Sequence, residues 1–294
     1  MSGRVVMIDG AIVAPEDAKV SVFDRGFLYG DAVFEVLRTY RSVPFALEEH
    51  LRRLRRSAER VAMALPVDEE VFRDELERAL TGGGNKESYV RIMVTRGSGP
   101  LSLDPDTARQ PLRLVFVEPV APPPREAYAK GIAARTVRTR RAVDETIAVG
   151  AKVSNYLANL LAVHEAKASG AQEALVVDAL GNVVEGASSN VFVVKHGRVG
   201  TPPESAGILP GITRAHVLAA AVRMGIGVDE VELTPADLYS ADEVFITSSI
   251  RELLPVVRVD DRTVGSGTPG PVGRRLHRSF RVAVGLGADP MPWE

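Results

Sequence analysis

The sequence predicts an α/β (α+β) protein of two domains, and three observations support that fold class. The chain has 294 residues, a length that accommodates two domains of moderate size. Short apolar runs rich in β-branched residues are interleaved with segments of helical periodicity. Prolines are dense between residues 119 and 124, and such a stiff segment continues neither a helix nor a central strand. These observations predict a small N-terminal domain at 1–122, a linker at 123–130 and a larger C-terminal domain at 131–294.

The predicted N-terminal domain begins with strands and then alternates helices with strands. An Asp9-Gly10 turn signal joins the first two strands, and the second helix stops at the three glycines 82–84. The predicted strands are Val5–Ile8, Ala11–Val13, Phe34–Tyr40, Tyr89–Thr95 and Leu112–Glu118, and the predicted helices are Ala46–Ala64 and Asp68–Leu80.

The predicted C-terminal domain interleaves six strands with three helices. The predicted strands are Ile132–Val137, Glu173–Asp178, Asn190–Lys195, Val228–Leu233, Glu243–Thr247 and Pro255–Val259, and the predicted helices are Asn155–Ala168, Ile212–Met224 and Pro271–Val284.

Composition excludes several classes of function. The net charge of -2 offers no basic excess for a nucleic-acid partner, and the basic run at 52–56 lies among glutamates, as on the solvated side of a helix. The absence of cysteine excludes disulfides, a thiolate nucleophile and a cysteine-ligated metal, and we predict no metal site. No stretch approaches the ~20 apolar residues of a membrane span, and no signal-peptide pattern is present. We therefore expect a cytoplasmic protein that does not bind membranes.

Lysine is scarce in this chain, since only six of its 36 basic residues are lysines. Lys152 lies in the small, apolar segment 148–155 with no adjacent charge. A desolvated amine is more often neutral and can then condense with an aldehyde, which a guanidinium cannot do. A surface lysine beside a turn is the alternative interpretation. The remaining lysines have turn or polar neighbours and are predicted to be solvated: Lys19, Lys86, Lys130, Lys167 and Lys195.

Three further segments contain groups that could bind an anionic heterocycle. The run 207–214 leads through Gly211 into a helix, whose free N–H groups attract phosphate; a plain helix entry with Thr213 as N-cap is the alternative. Glu185, beside a loop of small residues, could pair with a ring nitrogen, or could simply flank a turn. The hydroxyls at 247–249 could contact phosphate, or form a polar strand end.

Taken together, these segments resemble the class IV aminotransferases, the fold type IV pyridoxal-phosphate enzymes. That family includes branched-chain aminotransferases, D-amino-acid aminotransferases and aminodeoxychorismate lyases. The matching stretches follow the family order across nearly the full chain. They are Asp24-Arg25-Gly26, Tyr29-Gly30-Asp31, Phe34-Glu35, His50–Leu54, Lys152–Leu157, Glu185–Asn190, Leu209–Arg214 and Ala241–Phe245.

The resemblance implies a role for each matching residue. Lys152 would bond to pyridoxal 5'-phosphate and shuttle a proton between the substrate Cα and the cofactor's C4′. Arg53 would hold the phosphate bidentately, Tyr156 would contact the phenolic oxygen and Glu185 the pyridinium nitrogen. Leu209 would pack on the ring. The implied cofactor-binding residues are Arg53, Lys152, Tyr156, Glu185, Leu209, Gly211, Ile212, Thr213, Ser248 and Ser249.

The resemblance also implies a quaternary structure and a large barrel-like C-terminal domain. The protein would be a homodimer or higher homo-oligomer in which Tyr29 and the loop Gly97–Leu103 complete the partner subunit's site. Small-molecule amino acids and 2-oxo acids would be its other partners.

The substrate is indicated by a smaller set of residues. Tyr89-Val90-Arg91 resembles the Tyr-x-Arg of branched-chain enzymes, and Phe34–Arg38 resembles their Phe-Glu-Gly-Ile-Arg, with Val36 in place of glycine. Val94–Gly97 is closer to the D-amino-acid enzymes, but Leu101 and Leu103 stand where those have an Arg-x-His carboxylate trap. The implied substrate residues are Tyr29, Phe34, Arg38, Tyr89, Arg91 and Ile250.

The resemblance therefore implies transfer of the amino group of an apolar, branched-chain-like L-amino acid to 2-oxoglutarate. A D-amino-acid or (R)-amine transaminase is the first alternative. An aminodeoxychorismate lyase is the second, although Phe34–Arg38 lacks the threonine-rich stretch of that branch.

Overall fold

The computed structural model describes residues 3–139 and 146–294. The chain divides into two compact units. Unit 1 comprises Met1–Ala121 with Thr146–Tyr156, and unit 2 comprises Pro122–Glu145 with Leu157–Glu294. Lys152 therefore groups with the N-terminal part of the chain. The domain limits 1–122, 123–130 and 131–294 stay a prediction, and residues 140–145 of the last lie outside the described residues.

Unit 1 is built on a six-stranded antiparallel sheet in the order β2-β1-β6-β5-β3-β4. Its strands are β1 (Val5–Ile8), β2 (Ala11–Val13), β3 (Ala32–Tyr40), β4 (Val43–Pro44), β5 (Ser88–Thr95) and β6 (Arg113–Pro119), and its helices are α1 (Arg25–Tyr29), α2 (Leu47–Arg60) and α3 (Glu69–Gly83).

Helices α2 and α3 cover one face of this sheet and enclose its core. Leu51 and Leu54 of α2 pack with Leu76 of α3 against Leu37 and Ile92 of the sheet, and all five are almost fully buried. Side chains alternate between the two faces of a strand. Because Leu37 of β3 faces the helices, the residues beside it in sequence point to the opposite face.

Unit 2 contains a nine-stranded mixed sheet in the order β12-β11-β10-β13-β14-β7-β8-β9, with β15 paired to β14. Its strands are β7 (Ile132–Arg138), β8 (Glu173–Val177), β9 (Val183–Gly186), β10 (Asn190–Lys195), β11 (Arg198–Thr201), β12 (Val228–Glu230), β13 (Glu243–Ser248), β14 (Glu252–Val259) and β15 (Arg262–Thr263). Its helices are α4 (Arg125–Lys130), α5 (Leu157–Ala168), α6 (Ile212–Arg223), α7 (Pro235–Tyr239) and α8 (Pro271–Ala283).

The sheet of unit 2 curls, because β9 at its end also contacts β10 in its interior. Strands β14, β7 and β8 run parallel to one another, as do β11 and β12, and the remaining pairs are antiparallel. The core is formed by branched residues of these strands, among them Leu175, Val191 and Ile246. This mixed, curled sheet confirms the predicted fold class.

Several element bounds differ from those expected from sequence. The helix predicted at Ala46–Ala64 ends at Arg60, because Ala62 takes the left-handed conformation (φ 49°) that terminates a helix. The helix predicted from Asn155 begins at Leu157. Helix α4 was not predicted and occupies part of the predicted linker, starting directly after Pro124, whose extended backbone leads into it. Strand β14 begins three residues before the predicted Pro255.

No helix in the described part of the chain is long and apolar enough to cross a membrane. The same residues include no group of three or more His, Asp or Glu side chains arranged to hold a metal ion.

Candidate active site

Lys152 is distinct from the other lysines in its surroundings. Its side chain is half-buried, whereas the five other lysines are exposed, as predicted. The Nζ atom lies 4.6 Å from the centre of the Phe34 ring and donates a hydrogen bond of 3.3 Å to the hydroxyl of Tyr156. The amine is therefore held between an aromatic ring and a phenol, in a setting that is partly open rather than fully apolar.

The backbone of Lys152 is fixed on two sides. Its N–H donates to Ser57 Oγ of α2 at 3.0 Å, and its carbonyl accepts from Phe34 N–H of β3 at 3.0 Å. Val33 and Val153 form an antiparallel bridge, and Ser154 N–H donates to Ala32 O at 3.0 Å. The segment at 152–154 thus extends the unit 1 sheet beside β3, although it is too short to be a strand.

Tyr156 completes this part of the site. Its ring meets the Phe34 ring edge to face, with centroids 5.2 Å apart. Lys152 and Tyr156 both contact Phe34, so the structure brings together three residues that the sequence nominated for different roles.

A buried ionic cluster lies on the helix-covered side of β3. Glu35 accepts two hydrogen bonds of 2.7 Å from Arg53, through Nε and Nη2, and a third of 2.7 Å from His50 Nδ1. None of the three side chains is more than 5% exposed. Arg53 is therefore not solvated, although the basic run around it suggested a solvated helix side; Arg52, Arg55 and Arg56 are exposed.

The electrostatics of this cluster follow from its burial. Burial alone would raise the pKa of Glu35, but the charge and hydrogen bonds of Arg53, together with the bond from His50, lower it to about 2. Burial lowers the pKa of His50, helped by the positive charges of Arg53 and Lys152 and opposed by Glu35. His50 is therefore neutral near pH 7, with Nδ1–H donating to an ionised Glu35.

Four of the six predicted substrate residues lie on the face of the unit 1 sheet that α2 and α3 do not cover. Phe34 and Arg38 alternate with the helix-facing residues of β3, and the register places Tyr89 opposite Arg38 and Arg91 opposite Val36. The Arg91 guanidinium lies 4.0 Å from the centre of the Phe34 ring. Burial raises the pKa of Tyr89, while the neighbouring Arg91 opposes that shift. This face can receive a carboxylate beside apolar surface.

The other predicted substrate positions are more open. Tyr29 is half-buried at the end of α1, and its carbonyl accepts a hydrogen bond of 3.1 Å from Asn155 Nδ2. Leu101 and Leu103 in the loop 97–103 are 72% and 81% exposed. Ile250, in unit 2, is half-buried in the turn after β13.

In unit 2, Glu185 is buried beside the loop that precedes α6. Its Oε2 accepts a hydrogen bond of 3.0 Å from Leu209 N–H and one of 3.5 Å from Asn190 Nδ2. Asn190 Nδ2 also donates to Leu209 O at 2.9 Å. The structure therefore places two predicted cofactor contacts, Glu185 and Leu209, against each other. Glu185 is thus more than a charge beside a turn, which was the alternative interpretation.

Helix α6 begins at Ile212 with Gly211 as its N-cap, and no side chain caps it. The alternative that Thr213 is the N-cap is therefore wrong, because Thr213 lies inside the first turn. A Cβ on Gly211 would overlap Asn190 Oδ1, so only glycine allows this close approach. Uncapped first-turn N–H groups are donors suited to an anion.

A hydroxyl-rich strand end belongs to the same unit. Thr247 of β13 lies opposite Asn190 of β10, and its Oγ1 is buried without a hydrogen-bond partner. Ser248 and Ser249 follow it and are half-buried, with Ser248 Oγ accepting a hydrogen bond of 3.3 Å from Arg251 N–H. Helix α6 packs against β13.

Four contributors to these arrangements were not assigned roles from the sequence: Glu35, His50, Ser57 and Asn190. A signal for two of them existed, since His50, Arg53 and Ser57 are spaced by three and four residues and so share one helix face. No such signal existed for Asn190, because its contact with Gly211 joins residues that are distant in sequence.

Each unit, taken by itself, contains groups of the kind that pyridoxal phosphate requires. That cofactor requires a lysine amine, donors for a phosphate and an acid for its ring nitrogen. Lys152 supplies the half-buried amine, the uncapped start of α6 and the unpartnered hydroxyl of Thr247 supply donors, and Glu185 supplies the buried carboxylate.

Comparison with known proteins agrees with this chemistry. The family model for amino-transferase class IV matches residues 32–259, and the chain therefore belongs to the class IV aminotransferases, the pyridoxal-phosphate family that its motifs indicated. It is 40% identical over 276 residues to a provisionally named branched-chain-amino-acid aminotransferase of Methanocaldococcus jannaschii, covering 94% of this chain and 95% of that protein. It is 32% identical to the D-alanine aminotransferase of Bacillus licheniformis, covering 95% and 96%.

Solved structures give the same result. The branched-chain amino acid aminotransferase of Escherichia coli superposes with a TM-score of 0.92 at 33% identity, covering 98% of this chain and 97% of that one. The T.th. branched-chain amino acid aminotransferase, complexed with N-(5'-phosphopyridoxyl)-L-glutamate, has a TM-score of 0.88 at 33% identity, covering 97% and 95%. The predicted family, fold class and enzyme class are confirmed.

Proposed function

We propose that this protein is a pyridoxal-phosphate transaminase that moves the amino group of an apolar, branched-chain-like L-amino acid to 2-oxoglutarate. The observation that carries the proposal is the placement of Lys152, the one half-buried lysine of the described chain, with its amine beside the Tyr156 hydroxyl and over the Phe34 ring. Such an amine is positioned to bond to an aldehyde and to exchange a proton.

The proposed chemistry divides between cofactor and protein. Bound pyridoxal phosphate supplies an electron sink for the negative charge that develops at the substrate Cα. Lys152 would hold the cofactor covalently and, when released, would carry the proton from Cα. Tyr156 would hydrogen-bond the phenolic oxygen. Glu185, buried and acceptor-only when ionised, would keep the ring nitrogen protonated.

The phosphate would be bound by donors of different kinds. Arg53 supplies a guanidinium that Glu35 holds in a fixed plane. Ile212 and Thr213 offer N–H groups at the start of α6, where the helix dipole favours an anion. Ser248 and Ser249 add hydroxyls, while Leu209 would pack on the ring and Gly211 allows close approach.

The substrate would occupy the uncovered face of the unit 1 sheet. Arg38, Tyr89 and Arg91 would receive a carboxylate there, with Phe34 as apolar wall. Ile250 is assigned to the same substrate set from the motif resemblance. Val36, where branched-chain enzymes have glycine, narrows this face, so we expect small or unbranched apolar amino acids to compete with the branched ones.

A D-amino-acid or (R)-amine transaminase is the second candidate. The similarity to the D-alanine aminotransferase and the run Val94–Gly97 favour it, whereas the exposed, apolar Leu101 and Leu103 cannot form a carboxylate trap. An aminodeoxychorismate lyase is the third candidate.

We also propose a cytoplasmic homodimer or higher homo-oligomer. Each unit leaves apolar side chains exposed, which is typical of association surfaces. They include Phe23, Phe27, Leu101 and Leu103 in unit 1, and Leu157, Leu160 and Leu161 on one side of α5 in unit 2. Tyr29 and the loop 97–103 would then contribute to the partner subunit's site.

A substrate panel tests the proposed function. Purified protein with added pyridoxal phosphate would be incubated with L- and D-amino acids and (R)-amines, each with 2-oxoglutarate, with pyruvate and without acceptor. Turnover of L-leucine or L-valine with 2-oxoglutarate supports the proposal. Turnover of D-amino acids or (R)-amines alone would support the second candidate, and pyruvate release from aminodeoxychorismate without acceptor would support the lyase.

A further inference from the structure

Helix α2 carries a row of polar side chains directed at groups of unit 1. His50, Arg53, Ser57 and Arg60 are spaced by three, four and three residues, so they lie along one face of the helix. His50 and Arg53 bind Glu35, Ser57 binds the N–H of Lys152, and Arg60 binds the carbonyl of Val149. One rigid element therefore contacts both the buried ionic cluster and the segment that contains Lys152.

Within this row, Ser57 is the residue that hydrogen-bonds to Lys152 itself. It is 1% exposed, and its Oγ accepts a hydrogen bond of 3.0 Å from Lys152 N–H. The carbonyl of Lys152 is held from the other side by Phe34 N–H. With both main-chain groups bound, the Cα of Lys152 is fixed, and only the side-chain torsions remain to place Nζ.

Arg53 is fixed in a comparable way, four residues before Ser57 and thus about one helical turn away. Its guanidinium makes two hydrogen bonds to Glu35, which also accepts a hydrogen bond from His50. The helix thereby sets the position of the proposed phosphate donor relative to that of the lysine backbone.

We propose that Ser57 is a positioning residue, which fixes the Lys152 amine relative to Arg53 by holding the Lys152 N–H. This inference rests on the proposed function of Lys152 and Arg53. If Ser57 only filled space, its substitution would lower stability alone. If it positions Lys152, its substitution will weaken the bond between Lys152 and the cofactor more than the other cofactor contacts.

The test uses two forms of the cofactor. Pyridoxal 5'-phosphate can bond to Lys152, whereas pyridoxamine 5'-phosphate, which lacks the aldehyde, can bind only through phosphate and ring contacts. Ser57→Cys keeps nearly the same volume but replaces the hydroxyl with a weak acceptor. Ser88→Cys is the matched control, because Ser88 is also 1% exposed and its Oγ also accepts a hydrogen bond, from Asn85.

We expect Ser57→Cys to weaken binding of pyridoxal phosphate to the apoprotein by about 3- to 10-fold, as loss of one hydrogen bond implies. Binding of pyridoxamine phosphate should stay within about 2-fold of wild type. The kcat should fall by about 10- to 100-fold with little change in KM, because misplacement of a catalytic group lowers the rate. Ser88→Cys should retain all three values.

Two results would overturn the positioning role: equal weakening of both cofactor forms, or wild-type kcat in Ser57→Cys. If Ser57→Cys does not fold, the same measurements on Ser57→Ala replace it, and the same two results count against the proposal. If the wild-type apoprotein binds neither cofactor form, the proposed function fails, which is a different result from failure of the Ser57 proposal alone.

Discussion

In the proposed site, unit 1 would contribute charged and aromatic side chains alone, whereas unit 2 would contribute backbone N–H groups at the start of α6 in addition to side chains such as Glu185. In unit 1, Arg53 depends on the buried carboxylate Glu35, and Lys152 depends on Ser57 and Phe34. In unit 2, Gly211 opens the start of α6, whose N–H groups need no side chain to become donors. The proposed contribution of unit 1 would therefore depend on paired charges, and that of the α6 start on close backbone approach.

The two sets of residues are therefore sensitive to different substitutions. A buried ion pair is sensitive to loss of one partner, since the remaining charge stays buried. A glycine-dependent loop is sensitive to the addition of a single carbon atom. Substitutions can therefore be chosen that damage one half and spare the other.

The largest effect is expected for Lys152→Ala. Turnover should fall by several orders of magnitude, because removal of a covalent catalyst removes both the bond to the cofactor and the proton carrier. The thermal midpoint should change little, since the side chain is only half-buried. Steady-state kinetics would be compared with Lys167→Ala, which truncates an exposed lysine. Near wild-type turnover in Lys152→Ala would contradict the catalytic role proposed for Lys152.

Glu35→Gln should be the most destabilising of these changes. Glutamine cannot neutralise the buried Arg53, and breaking a buried pair in this way costs about 3–5 kcal/mol in the free energy of unfolding. Urea unfolding would measure it. Glu75→Gln is the matched control, because Glu75 is also buried but its partner Arg113 reaches solvent (17% exposed). Similar losses in both variants would contradict a special role for the Glu35 cluster.

Acid should reduce the contribution of the same cluster. The folded-state pKa of Glu35 is lowered from 4.5 to about 2, so its stabilisation is present above pH 4.5 and is lost as pH falls toward 2. That contribution is on the order of 3 kcal/mol. The gap in unfolding free energy between wild type and Glu35→Gln should therefore narrow over this range.

His50 should add to the acid sensitivity at higher pH. Its pKa is lowered from 6.5, so the unfolded chain takes up its proton first and stability declines as pH falls below about 6.5. A gap between wild type and Glu35→Gln that stays constant from pH 7 to pH 3 would show that the cluster is not ionised as described.

Gly211→Ala tests the cofactor residues of unit 2 and should destabilise the protein less than Glu35→Gln does. The new Cβ would displace Asn190 and disturb its bond to Leu209 O, with an overpacking cost of about 1–3 kcal/mol. Binding of pyridoxamine phosphate, measured by titration of the apoprotein, should weaken together with that of pyridoxal phosphate. Gly82→Ala in helix α3 is the control, since the new Cβ would only contact methyl groups of Val5 and Ile12, both at 3.5 Å. Unchanged cofactor binding in Gly211→Ala would contradict the proposal that the start of α6 binds the phosphate.

The two halves also differed in how far the sequence predicted them. The helix entry at 207–214 and the scarcity of lysine were visible, because glycine, proline and lysine carry local signals. The burial of Arg53 could not be read from local signals. Its neighbours Arg52, Arg55 and Arg56 are exposed, and only its position on the helix face distinguishes it from them.

Contacts distant in sequence were beyond local patterns. The bond between Ser57 and Lys152 joins residues 95 positions apart, and the fit of Gly211 against Asn190 depends on how β10 and α6 meet. Element bounds shifted for a similar reason, as at Ala62, where a left-handed residue ends α2 although its side chain would have continued the apolar helix pattern.

The most direct test is to identify the residue that bonds to the cofactor. Protein incubated with pyridoxal phosphate would be reduced with borohydride, digested and mapped by mass spectrometry. Lys152 should carry the reduced cofactor at near-stoichiometric yield. Labelling of another lysine instead, or no labelling of folded protein, would contradict the assignment.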